Sequence, residues 1–72
     1  MKGKNVFSAA EAERACDLLR QIRAADRDAQ KLLRDRLREE VGFYISDFTS
    51  SNAGFTECDF RSLVERGTIQ IG

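Results

Sequence analysis

The chain has 72 residues, with 12 basic and 12 acidic side chains, no His, no Pro, two Cys, and 42% apolar and 33% charged residues. A chain of this size is one domain, residues 1–72. It lies near the limit at which a single core supplies only about 3 to 5 kcal/mol unless a metal, a disulfide or a partner helps. The composition is that of an ordinary globular protein and excludes intrinsic disorder, while the absence of His excludes a Cys/His zinc site within one protomer and removes the commonest general base.

Lys2 and Lys4 are not followed by an apolar run long enough for a signal peptide, and no span approaches membrane length. A cytoplasmic location without membrane association is expected, with Cys16 and Cys58 reduced and no metal or cofactor. Residues 1–7 read as a flexible N-terminus.

The stretch from Ser8 to Glu40 contains no Gly and no Pro. Ser8 and Glu11 have capping-box spacing, with Phe7 at the staple position, so a helix should begin at Ala9. At 100° per residue, Ala15, Leu18, Leu19, Ile22, Ala25, Ala29, Leu32, Leu33 and Leu37 fall within about 140° of the wheel. That unbroken phase favours one long rod, roughly 50 Å from end to end at 1.5 Å per residue, which would almost require a dimer. Against the rod stands Asp26, which would lie on the apolar face as an unpaired carboxylate. As the N-cap of a second helix it is favourable, and Asp28 then sits in the first turn, so a helical hairpin is the preferred reading.

Gly42 is placed to stop the helix, after which Phe43-Tyr44-Ile45-Ser46 has the aromatic and β-branched content of a short strand. Thr49 to Gly54 supplies turn residues. Thr56 then caps a third helix, with Asp59 at the capping-box position and Phe55 stapled against Phe60. Gly67 ends that helix near Glu65 or Arg66, and Thr68-Ile69-Gln70-Ile71 alternates as a half-buried terminal strand. The expected fold is therefore α+β: a helical hairpin or one long helix, then a strand-helix-strand unit, in the order α-α-β-α-β. Its core would draw on Leu18, Leu19, Ile22, Leu32, Leu33, Leu37, Val41, Phe43, Ile45, Phe48, Phe55, Phe60, Leu63, Val64, Ile69 and Ile71.

Arg20, Arg23, Arg27, Lys31, Arg34 and Arg38 form a basic stripe along the helical segment and are the first candidate surface for nucleic acid or a partner. Several cations in line can follow a phosphate backbone without reading sequence. Nearby acids argue for a solvated helix face instead: Asp17 with Arg20, Asp28 with Lys31, Asp35 with Arg38 and Arg36 with Glu40 are spaced for intrahelical pairs. The overall charge of zero is not that of a nucleic-acid binder, and no aromatic residue interleaves the stripe to stack on bases. Glu57 and Asp59 at the start of the third helix argue against its use as a recognition helix.

The second candidate surface is Thr68, Ile69, Gln70 and Ile71 as a dimer edge strand, open to a second chain unless it pairs with Phe43 to Ser46. Cys58 lies where a helix dipole can lower a thiol pKa, but Glu57 and Asp59 flank it and there is no base, so a structural thiol is expected. Ser46 to Asn52 lacks both the acids of a calcium loop and the glycines of a phosphate cradle. The expected function is a small non-enzymatic protein–protein interaction or regulatory module, acting as a homodimer, and the runner-up is a nucleic-acid-associated protein. Compactness alone points to a bacterial or mobile-element setting.

Overall fold

Ser8 opens the first helix in the way its spacing predicts. In the computed structural model, which describes residues 3–49 and 54–72, Glu11 N–H donates to Ser8 Oγ (3.1 Å) and Ser8 N–H donates to Glu11 Oε1 (2.9 Å). Helix α1 runs Ala9–Ala24. It stops because Ala25 and Asp26 are both extended, and Asp26 Oδ1 accepts from Ala29 N–H (2.9 Å) to cap α2, Arg27–Arg36. The turn has no glycine. Its exposed carbonyls are satisfied by a side chain instead: Gln30 Nε2 donates to Ile22 O (3.0 Å) and to Ala25 O (3.1 Å).

Helix α2 folds back along α1, and Arg14 near the start of α1 reaches Glu40 beyond the end of α2 at 3.2 Å. The longest molecular extent is 32 Å, which excludes a rod of roughly 50 Å. Past α2 the backbone widens into a π turn over Leu37–Val41 before Gly42, at φ 80°, ends it in the left-handed region. The wider turn has a packing logic. Leu33, Leu37 and Val41 are four apart, a spacing that drifts around an α-helix, and a π segment takes back part of the drift. Leu37 and Val41 are both buried as a result, with Leu33 packed partly against them.

The α+β class and the helical hairpin are as expected, while the strands differ in detail. Phe43 to Ser46 is not a strand: Phe43 and Tyr44 are extended, and Ile45–Asp47 is a single 3-10 turn closed by Asp47 N–H to Tyr44 O (3.0 Å) and Phe48 N–H to Ile45 O (3.0 Å). Burial nevertheless alternates as it would in a strand, with Phe43 and Ile45 buried and Ser46 exposed.

The partner of the C-terminal strand lies at the opposite end of the chain. Strand β1, Val6–Phe7, pairs in parallel with β2, Gln70–Ile71, in the register Val6 to Gln70 and Phe7 to Ile71. Part of the segment expected to be a flexible N-terminus is therefore integral to the sheet. Its anchors are Phe7, 1% exposed, and Gly3, whose N–H donates to Asp47 Oδ2 (2.8 Å). Gly3 is required there, because a Cβ would fall 2.6 Å from Gly42 O.

Helix α3, Glu57–Glu65, starts with Thr56 N–H donating to Asp59 Oδ2 (2.9 Å) and ends before Gly67 at φ 81°. The core between hairpin, sheet and α3 centres on Phe43, whose ring lies 5.3 Å from Phe48 and from Phe60, 5.7 Å from Phe55 and 6.0 Å from Phe7. Phe7 was expected only as a staple and proves central. Leu32 and Ile71, counted as core from sequence, are exposed. Leu32 loses its place because the turn at Ala25-Asp26 re-aims α2, so that the line through Leu33, Leu37 and Val41 faces α1. The turn expected over Thr49 to Gly54 falls mostly on 50–53, outside the described residues.

Candidate interaction surface

Of the concave surfaces that border the helices, two bear on the candidate residues. The larger, about 510 Å³, lies between α1 and α3 and is lined by Ala12, Cys16, Phe60, Val64 and Ile71, with Glu13, Arg20, Arg61 and Glu65 at its rim. Helix periodicity explains it. Ala12 and Cys16 are i, i+4 neighbours on α1, and Phe60 and Val64 are the same on α3, so each helix offers one apolar ridge to the gap. Small side chains at Ala12 and Cys16 leave that gap unfilled, and Ile71 closes its edge from β2.

The groove is polar in charge along its length. Arg20 Nη1 lies 3.8 Å and Arg61 Nη2 3.6 Å from Glu57 Oε2, so both cations gather at the end near the start of α3. Glu57 Oε2 is buried there without a hydrogen bond, held by the two guanidinium groups. Glu13 lies two turns back along α1 and Glu65 one turn on along α3, both away from that end. Neither makes an ion pair among the described residues.

The smaller cleft, about 170 Å³, is lined by Lys31, Arg34, Asp35, Leu37 and Arg38 with Phe43, Tyr44, Ile45 and Ser46. Three of the six stripe cations converge here. The stripe itself is broken by the hairpin: Arg20 and Arg23 belong to α1, Arg27, Lys31 and Arg34 to α2, and Arg38 to the π turn. Arg20 is held by Asp17 (3.7 Å) as well as Glu57, and Arg38 is paired with Asp35. Arg23, Arg27, Lys31 and Arg34 make no ion pair among the described residues, and the expected pairs of Asp28 with Lys31 and of Arg36 with Glu40 do not form. Arg14 takes Glu40 instead, together with Asp17 (3.1 Å).

The C-terminal candidate residues divide by side. Ile69 is buried, whereas Thr68, Gln70 and Ile71 are exposed. Gln70 N–H donates to Asn5 O (2.8 Å) and Gly72 N–H to Phe7 O (2.9 Å), so one edge of β2 is already used by β1. Cys58 is exposed and Cys16 half-buried, and both are free thiols. The sequence singled out the basic stripe and the strand edge. It missed the groove, because an Ala-Cys ridge on α1 acquires meaning only opposite Phe60 and Val64.

Among the described residues no helix is long and apolar enough to cross a membrane, and no group of three or more Cys, Asp and Glu is placed to hold a metal ion. No protein-family model matches the chain, and no curated protein or solved structure does either.

Proposed function

We propose that this chain is a small non-enzymatic interaction or regulatory module that binds a protein through the groove between α1 and α3. The carrying observation is the groove itself: a concave surface of about 510 Å³ whose floor is Ala12, Cys16, Phe60, Val64 and Ile71 and whose rim is charged. An apolar floor gains by leaving water, and a charged rim selects and orients what covers it. The two-stranded sheet supports the reading, because a pair this short is marginal alone and an added strand stabilises it. The proposed setting is cytoplasmic, consistent with two free thiols, and bacterial, on compactness alone.

The test places a photo-crosslinking amino acid at Val64 in the groove and, in a separate variant, at Arg27 on the far side of the hairpin. Irradiation should yield discrete protein adducts from Val64 and none from Arg27. Failure to obtain adducts from Val64, or the same adducts from both positions, would sink the reading.

A second reading, phosphate-backbone binding, is favoured by one observation: Lys31 and Arg34 are free of ion pairs and face the same cleft as Tyr44. Asp35 in that cleft, the divided stripe and the zero net charge weigh against it. Binding of a labelled single-stranded oligonucleotide that falls steeply with added salt would favour it, and no binding at low salt would remove it.

A further inference from the structure

The outer edge of β2 is specified to a single residue. Gln70 and Gly72 donate inward to β1, so Ile71 between them turns its own N–H and C=O away from the domain. An antiparallel hydrogen-bonded pair needs one such residue from each chain, exchanging both N–H···O bonds. From these groups, and resting on the reading of the groove as a protein-binding surface, we infer that its occupant is a second copy of this chain. The two copies dock about a two-fold axis that sets Ile71 opposite Ile71 and makes a four-stranded sheet in the order β1-β2-β2-β1. A shift by one residue would bring up Gln70 or Gly72, whose donors are already committed to β1.

Side-chain direction agrees with this pairing. Phe7 and Ile71 are register partners, so they leave the sheet on the same face, the face that carries the helices and buries Phe7. Directly opposed residues of an antiparallel pair also share a face. The Ile71 of the second copy thus arrives beside this one at the mouth of the groove and covers apolar surface that is open in the monomer. Ile71 is 40% exposed.

The charges of the rim are self-complementary under the same axis. A two-fold normal to the sheet reverses every direction lying in its plane, so whatever part of the groove's run lies in that plane is opposite in the second copy. The end with Arg20 and Arg61 in one copy is thereby turned toward the end with Glu13 and Glu65 in the other. Those two acids are the rim charges without ion pairs among the described residues, so the second copy supplies what the single chain leaves unmatched.

Sedimentation equilibrium of the full chain over a range of concentrations tests the inference. The expected mass is twice the 8.1 kDa of the chain. Ile71→Pro removes the outward N–H while leaving the Gln70 and Gly72 donors in place, so helical circular dichroism should hold while the dimer dissociation constant rises by at least about tenfold. Glu65→Arg should also weaken the dimer, and adding Arg61→Glu should restore part of the loss. A mass of one chain at every concentration, or an Ile71→Pro dimer as tight as the original, overturns the inference. A monomer that still gives a Val64 adduct of another mass overturns the second copy and leaves the protein-binding reading intact, whereas no adduct removes both.

Discussion

Phe7 offers the sharpest test of the fold, because its role depends on contacts between opposite ends of the chain. Its side chain is 1% exposed, with ring centroids 6.0 Å from Phe43 and 6.3 Å from Phe60. Truncating a buried Phe to Ala costs about 3 to 5 kcal/mol through lost transfer energy and the cavity left behind. A core of this size supplies about the same total. Phe7→Ala should therefore be largely unfolded in buffer, and Phe7→Leu, which keeps most of the volume, should lose no more than about 1.5 kcal/mol. Val6, next in the chain and 50% exposed, is the control, with Val6→Ala expected to stay within about 0.5 kcal/mol. Urea unfolding followed by far-ultraviolet circular dichroism gives all three. If Phe7→Ala unfolds at the same urea concentration as Val6→Ala, the first strand is not part of the core and the reasoning fails.

Two further outcomes follow from the caps. Asp26→Leu removes the bond to Ala29 N–H and should destabilise the chain by about 1 kcal/mol in thermal unfolding, whereas stabilisation would mean that the two helices can run as one. The Glu11 carboxyl is held below its ordinary pKa, first by the Lys4 ammonium at 2.8 Å and then by the Ser8 N–H. Its contribution to stability is thus present above the ordinary Glu pKa and fades as pH falls through the lowered value. Lys4→Ala should raise the Glu11 pKa in a carboxyl-detected NMR titration, and an unchanged titration would rule out Lys4 as the cause.

Local rules carried far in this chain. Ser8 with Glu11, Asp26 and Thr56 with Asp59 each act on an amide within three residues, so helix starts could be placed from spacing alone. The hairpin turn could be argued from Asp26, but not how it closes, since Gln30 reaches back eight residues to Ile22 O. Phe43 and Ile45 showed the burial of a strand. What spacing could not say was that the place beside β2 belongs to Val6 and Phe7, a choice made by tertiary packing of five phenylalanines. The wheel erred at Leu32 for a related reason: it assumed one axis, and two axes give two inward faces. The groove was invisible because it is the space between two ridges from different helices, and no periodicity within either one describes it.

Joining the two ends of the chain has a kinetic consequence. Asn5 Nδ2 donates to Thr68 O across 63 positions, so the sheet forms only when nearly the whole chain closes into a ring. The caps and the hairpin involve neighbours and assemble on the microsecond scale of helix formation. Ring closure is the slow, non-local event, and its entropic cost rises only logarithmically with loop length. The seam between Val6–Phe7 and Gln70–Ile71 is therefore the pairing that has the longest loop to close. Opening that seam would unseat Phe7 and Ile69, both buried while it is closed.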